Sequence, residues 1–450
     1  MILLINPRTS KPSEIRTEYF REPNLGILYL AAILESQEIP VDILDLEQFI
    51  DLNELELENL LRERIIGYEI IGITCLTNTF HLALRIARII KENQESYVIF
   101  GGPHVSFMYK EILEHDKETE NLIDFVFIGE SESSFLQLSI ILRNQIIEGK
   151  SIANYEDQLQ SVKGLAFINS NGALIITKSV DPIDLNDIPL PARYKLSQEN
   201  YYYSVANVIV NRGCPNQCSF CSRQNLFKKT RIRSIKSILE EIRDIQSLQT
   251  YTQINFYDNI NINRKFFRDF CEMFIENKIK IPWGCEIRVD TISPEEAILL
   301  KKAGCQLVAT GIESANETVL KKNFKFQDPG QVKTGITNLK KSGIAIQAYF
   351  VLGLPGETIH SFEETLEYIK SLPFDENDEI NYFIATPYPG SRLWDERESF
   401  GISIFENDFA KYDCNHIIFE TKELKKEKLE KLYILAKQVE KHSTSLQKPY

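Results

Sequence analysis

From Ile2 to Thr386 the chain repeats one pattern: a short apolar run, a break, then a longer stretch with apolar residues at helical spacing. In the first 140 residues the apolar runs are Ile2–Asn6, Val41–Leu46, Ile70–Leu76, Tyr97–Phe100 and Phe125–Ile128. Between them lie the helical patterns Leu25–Ser36, Leu55–Arg64, His81–Asn93 and, last, Ser133–Leu142. Strands that are apolar on both faces need cover on both, which means a parallel sheet with helices on each side. The fold class is therefore α/β, with a Rossmann-like, doubly wound parallel sheet over 1–145. Ligands of such sheets bind at the carboxyl edge of the strands. That edge carries Asn6, then Thr77 and Asn78, then Gly101, Gly102 and His104, then Gly129 and Glu130. No GxGxxG follows the first strand, which disfavours a dinucleotide.

The pattern then changes. Leu165–Asn169 and Ala173–Thr177 flank Ser170-Asn171-Gly172, a hairpin turn signal, so 146–200 reads as a connector with a β-hairpin. After Tyr201 strand and helix alternate again, with strands expected at Val205–Val210, Gln253–Tyr257, Trp283–Arg288, Leu307–Gly311, Ala345–Leu352 and Glu379–Thr386. Six such units are too few for the closed eight-stranded barrel, so 201–395 predicts a partial (βα)6 barrel with its functional groups at the strand carboxyl ends. Residues 396–450 form a helical extension, in which Leu429, Leu432, Ala436 and Val439 share one face of a docking helix. Tyr201 to Tyr203 are read as core or edge packing.

No apolar stretch approaches the roughly 18 residues needed to span a bilayer, and no basic region precedes the apolar start. Neither export nor a membrane span is expected, and free thiols suit the cytoplasm. The net charge of −13 argues against nucleic-acid binding, which needs concentrated Lys and Arg. One stretch departs from this balance: from Tyr201 to Leu239 there is no Asp or Glu, but there are Arg212, Arg223, Lys228, Lys229, Arg231, Arg233 and Lys236. It is either a solvated basic face or a means of capturing an anionic substrate or redox partner.

Within that stretch three of the eight cysteines fall close together, as Cys214-Pro-Asn-Gln-Cys218-Ser-Phe220-Cys221, directly after the first expected barrel strand. Thiolate ligation explains this spacing, and three thiolates leave either a four-coordinate zinc or a cubane cluster one ligand short. An open metal position is a place for chemistry. Cys75, Cys271, Cys285, Cys305 and Cys414 are dispersed and read as packed thiols.

The CxxxCxxC with Phe220 before its last cysteine resembles the signature of the radical S-adenosylmethionine (SAM) superfamily. The resemblance implies that Cys214, Cys218 and Cys221 hold a [4Fe-4S] cluster whose fourth iron binds SAM. It also implies SAM contacts from Phe220, from Asp258 for the ammonium group, and from Glu286 and Arg288 on alternate positions of the third strand. Glu313 and Ser314 would meet the ribose, and Gly353 and Pro355 the adenine. Upstream, Asn24-Leu-Gly-Ile-Leu-Tyr, Ile71-Gly-Ile-Thr74, Val98-Ile-Phe-Gly-Gly-Pro-His104 and Val126-Phe-Ile-Gly-Glu130 resemble the B12-binding domain of cobalamin-dependent members. In that reading the carboxyl-edge residues from Asn6 to Glu130 named above would contact cobalamin. The DxHxxG that supplies a histidine to cobalt in methionine synthase and the mutases is absent, as is usual in this subfamily; His104, at a strand end after Gly101-Gly102, is read as a turn residue rather than a metal ligand.

The resemblance implies SAM cleavage to a 5′-deoxyadenosyl radical, with cobalamin supplying methyl for C-methylation of an unactivated carbon in a small-molecule substrate. A cobalamin-linked cyclase or rearrangement enzyme is the alternative within enzymes. A non-catalytic metal-binding regulatory module is the alternative of another class. A flavodoxin or ferredoxin would be the reducing partner.

Overall fold

In the computed structural model residues 1–9, 22–196 and 203–440 are described. They fall in two compact units, one built on 1–9, 24–196 and 226–228, the other on 22–23, 203–225 and 229–440. Tyr203 is buried; Tyr201 and Tyr202 lie outside the described residues.

The first unit runs β1 (Ile2–Asn6), α1 (Leu25–Glu35), β2 (Val41–Asp45), α2 (Glu54–Arg64), β3 (Ile70–Thr74), α3 (Phe80–Asn93), β4 (Tyr97–Gly101), α4 (Pro103–Glu118), β5 (Phe125–Phe127) and α5 (Glu132–Glu148). A short α6 (Glu156–Ser161) and the hairpin β6 (Leu165–Ile168) and β7 (Leu174–Ile176) complete it. The sheet order is β2-β1-β3-β4-β5-β6-β7, parallel from β2 to β5. β6 pairs antiparallel with β5, and β7 with β6. The hairpin expected within a connector thus extends the first sheet. Two apolar layers cover the parallel strands: Leu3, Ile5, Ile71 and Ile73 face Ile86 and Ile90 of α3, and Ile2, Leu4 and Ile70 face Ile27 and Leu34 of α1. This is the doubly wound arrangement the apolar strands require.

The second unit starts with β8 (Val205–Val208) and β9 (Asn211–Arg212), the latter paired antiparallel with β10 (Arg231–Ile232) after the short helix α7 (Arg223–Leu226). Then follow α8 (Ile235–Leu248), β11 (Gln253–Asn259), α9 (Arg264–Glu276), β12 (Trp283–Glu286), α10 (Pro294–Lys302), β13 (Cys305–Glu313), α11 (Glu317–Lys322), α12 (Pro329–Lys341), β14 (Ala345–Leu352), α13 (Ile359–Ser371) and β15 (Glu379–Ile384). Its six strands lie in the order β15-β14-β13-β12-β11-β8, all parallel, which is the expected partial barrel. The chain ends with α14 (Arg392–Asp395), a two-stranded ribbon of β16 (Ser403–Ile404) and β17 (Phe419–Glu420), and α15 (Lys426–Val439). Leu429, Leu432 and Ala436 are the buried residues of α15. No helix among the described residues is long and apolar enough to cross a membrane.

Alternation along the strands sorts the side chains of the second sheet. Phe256 and Trp283 pack on Phe270 and Phe274 of α9, and Phe350 and Tyr382 on each other, with Tyr382 against Phe362 of α13. The opposite face therefore carries Asn255 and Tyr257, Gly284 and Glu286, Gln347 and Tyr349, and Glu379 and Asn381. Closed barrels fill this space with Val, Ile and Leu. Here β11, β12, β14 and β15 contribute polar side chains, beside Val205 of β8 and Leu307 and Ala309 of β13, and Gly284 has no side chain at all, so the face can receive a ligand with both polar and apolar parts.

Candidate functional site at the edge of the second sheet

The loop with the three cysteines leaves the sheet edge after β9 and is tied down at separate points. Gly213 opens it with φ of 84°, and a Cβ there would lie 2.6 Å from the Lys229 carbonyl oxygen, so only glycine fits. Cys214 and Cys218 are half-buried and Cys221 exposed, and all three are free. Asn216 Nδ2 donates to Cys214 Sγ at 3.4 Å, and Arg288 Nη1 donates to Asn216 Oδ1 at 3.2 Å. Burial pushes the Cys218 thiol up to about 11, against the opposing pull of the Lys325 cation. The other two cysteines and Glu313 add to the rise, so the three sulfurs share one electrostatic neighbourhood. No group of three or more His, Cys, Asp or Glu among the described residues is already in a metal-holding arrangement. The donor set nevertheless fits a cuboidal cluster: three unoxidised thiols on one short loop, beside two cationic side chains that oppose the charge of thiolates.

Asp258 is placed differently from the expectation that it would hold the SAM ammonium group. It is 2% exposed. Its Oδ2 accepts from the backbone N–H groups of Val210 and Asn211 at 3.0 and 3.2 Å, and its Oδ1 pairs with Arg223. The carboxylate ties Val210 and Asn211, ahead of the cysteine loop, to Arg223, which follows it. It anchors the loop. Ser314 is 1% exposed, and its Oγ accepts from Asn316 N at 3.2 Å and meets Thr365 Oγ1 at 3.3 Å, inside the turn toward α11.

Other expected residues do gather. Glu286 ends β12, and burial pushes its carboxyl up to about 7. Arg223 and Lys325 lower it, while Glu22 and Glu313 raise it. Arg288 is held by Asp290 at 2.7 Å and by the Phe326 carbonyl at 2.6 Å. Glu313 has φ of 66°, unusual for a side-chain-bearing residue, and accepts from Lys325 Nζ at 2.9 Å. Gly353 and Gly356 both have φ of 89°, and Gly353 N donates to the buried Glu357, whose carboxyl burial pushes up to about 8. Phe220 is half-buried on the cysteine loop.

Two participants carry no sequence signal. Glu22 accepts from Asn255 Nδ2 at 2.9 Å and stands beside Tyr257; burial pushes it up to about 7. Asn323, at the end of α11, is fully buried against the cysteine loop.

The basic stretch is not one face. Arg223 pairs with Asp258, Arg233 is buried against Glu241, and Arg212 is buried in β9. Only Lys228, Lys229 and Lys236 are exposed. The seven cations therefore do not form one surface: Arg223 and Arg233 balance the internal carboxylates Asp258 and Glu241.

In the first unit the expected carboxyl-edge residues group in pairs. Asn6 Nδ2 donates to Asp45 Oδ1 at 2.8 Å and Asn6 Oδ1 accepts from Asn24 at 3.1 Å. His104 Nδ1 lies 3.3 Å from Thr77 Oγ1 and its ring is tilted at 42° against that of Phe80 with centroids 4.5 Å apart; burial lowers its pKa to about 4, so it is neutral at physiological pH. Gly102, with φ of 102°, crosses so close to Cys75 that a Cβ would lie 2.8 Å from the Cys75 oxygen. Gly129 N donates to Ser106 Oγ at 2.9 Å. Asn78, Gly101 and Glu130 are half-buried nearby in sequence and strand end.

A partial barrel with three free thiols at the carboxyl edge of its strands, preceded in the chain by a doubly wound sheet, defines a two-module α/β protein built around a thiolate site. Comparison with known proteins makes the class specific. Residues 208–369 match the radical SAM superfamily and residues 15–139 the B12 binding domain. An anaerobic magnesium-protoporphyrin IX monomethyl ester cyclase of Rubrivivax gelatinosus is 32% identical over 408 residues, covering 87% of this chain and 68% of the relative. An uncharacterised methyltransferase of Pyrococcus horikoshii is 29% identical over 440 residues, covering 96% of this chain and 90% of the relative. Among solved structures, the radical SAM methyltransferase TsrM of Kitasatospora setae, with cobalamin and a [4Fe-4S] cluster bound, shares the fold. It superposes with a TM-score of 0.72 at 16% identity, covering 97% of this chain and 87% of that one. The chain belongs to the radical SAM superfamily, in the branch whose barrel follows a B12-binding domain, and is a radical SAM enzyme.

Proposed function

We propose that Cys214, Cys218 and Cys221 hold a [4Fe-4S] cluster, that SAM binds beside it on the inner face of the second sheet, and that the first unit holds cobalamin. The reaction is C-methylation of an unactivated carbon in a small-molecule substrate. The observation that carries this reading is the loop of three free thiols, pinned to the carboxyl edge of a parallel sheet whose inner face bears polar side chains. When bound, the cluster supplies the electron that cleaves SAM, and cobalamin supplies the methyl carrier.

The chain's own groups have separable tasks. Asp258 and Arg223 fix the approach of the cysteine loop. Arg288 and Lys325 bring positive charge beside the sulfurs. Glu286, whose carboxyl holds a proton up to about 7, and Tyr257 offer hydrogen bonds on the inner face. Gly353 and Gly356 let the backbone turn where a Cβ would strain it. On the first unit, Gly102 lets the chain after β4 cross close to Cys75, and the buried His104 there is neutral.

The 32% identity to a cyclase favours a second reading, in which the same radical chemistry closes a ring instead of adding a methyl group. Anaerobic reconstitution of the full chain tests the proposal. Iron and sulfide near four each per chain, corrin absorption bands after cobalamin is supplied, and SAM cleavage on reduction are expected. Bound zinc without SAM cleavage would overturn it. Formation of S-adenosylhomocysteine alongside 5′-deoxyadenosine supports methylation; 5′-deoxyadenosine alone, with no gain of a methyl mass in the substrate, supports the cyclase.

A further inference from the structure

Asn323 is fully buried and joins two parts of the second unit that are distant in sequence. Toward the cysteine loop, its Oδ1 accepts from Ser219 Oγ at 2.8 Å and its backbone carbonyl accepts from Ser219 N at 2.9 Å. Toward the turn after β14, its Nδ2 donates to the Pro355 carbonyl at 2.9 Å, and also to Val319 O at 2.8 Å. Ser219 is itself fully buried, sits directly after Cys218, and its remaining carbonyl accepts from Leu393 N at 2.9 Å. Every hydrogen-bonding group of Ser219 is thus used, and two of its three bonds end on Asn323.

We infer that Asn323 is a positioning residue that sets the distance between the cysteine loop and the Gly353–Pro355 turn. The inference rests on the proposed function, in which the loop holds the cluster and the turn borders bound SAM. A side-chain amide suits this role because it accepts on one side and donates on the other from one rigid plane. Because Asn323 and Ser219 are both fully buried, a lost bond at one end is costly and is felt at the other. The residue works through Ser219 and Pro355 and need not touch SAM.

The test uses two variants in the reconstituted full chain. Ser219→Ala removes only the Oγ bond and leaves the backbone bond, so the fold and an iron content near four per chain should persist. SAM affinity, read from the SAM-induced change in the electron paramagnetic resonance signal of the reduced cluster, should weaken about fivefold, the scale of one lost hydrogen bond. Asn323→Ala should weaken it about tenfold or more, and Ser219→Ala should add nothing further in that background, because both act through one connection. Full iron with SAM affinity within twofold of the unsubstituted chain in Ser219→Ala would overturn the inference, as would strictly additive effects. Should Asn323→Ala not fold, Ser219→Ala alone decides. An unsubstituted chain that takes up no iron refutes the proposed function itself, a result visible before any variant is compared.

Discussion

Replacing Asp258 with Asn separates two roles that one acidic residue at a strand end can have. In the structure the carboxylate is 2% exposed and accepts two backbone N–H bonds as well as the Arg223 ion pair. Removing one partner of a buried ion pair costs about 3–5 kcal/mol. Because 29% of the Arg223 side chain still reaches solvent, the lower end, about 3 kcal/mol, applies. For a unit of this size each kcal/mol moves the unfolding temperature by about 2–4 °C, so Asp258→Asn should lower the transition of the second unit by about 6–12 °C. The loss should be present in the protein before any cluster or SAM is added, and iron uptake on reconstitution should fall with it. Differential scanning calorimetry of the metal-free chain and an iron assay measure both. A residue that only held the SAM ammonium group would behave otherwise: unchanged unfolding, full iron, weakened SAM. Observing that combination refutes the anchor.

Replacing any one of Cys214, Cys218 or Cys221 with Ala should abolish SAM cleavage and drop iron well below about four per chain, while undiminished cleavage would refute the cluster assignment. The raised carboxyls of Glu22 and Glu286, both about 7 against an ordinary 4.5, bind protons more tightly in the folded chain. Their contribution to stability is therefore complete below about pH 4.5 and lost as pH rises through about 7. Glu286→Gln should make the fall in unfolding temperature between pH 5 and 8 shallower, and parallel curves for variant and parent would exclude this cause. Gly102→Ala forces a Cβ toward Cys75 at a φ of 102°, so it should destabilise the first unit by about 2 kcal/mol or more, seen by thermal unfolding. It should also weaken cobalamin binding, seen by absorption titration with hydroxocobalamin.

The alternation of apolar runs and helical patterns was enough to place the strands of both sheets, because burial on two faces leaves a strong local mark. Ala345–Leu352 matches β14 from end to end, and most other differences are a residue or two at the ends. The local signal also identified the hairpin β6–β7. Its partner was not readable: pairing with β5 joins Ala166 to Val126, and nothing in either run says which edge is free. The thiol loop was legible for a different reason, since ligand spacing is a chemical requirement carried within eight residues.

What the sequence leaves open has one physical cause. An Asp at the end of a strand looks the same whether it awaits a ligand or is already saturated, and the difference is made by Val210, Asn211 and Arg223, which tertiary structure brings in. Likewise the seven cations of 212–236 look like a surface until Asp258 and Glu241 are seen to neutralise two of them. Glu22 and Asn323 were missed because single polar residues announce themselves only through partners more than 30 residues away, Asn255 for one and Pro355 for the other. The chemistry of the site is thus written locally, in three cysteines, while its geometry is distributed among residues with no pattern of their own. It follows that substitutions in the second group should alter SAM binding and loop stability without removing the capacity for thiolate ligation, whereas those in the first remove the ligands themselves.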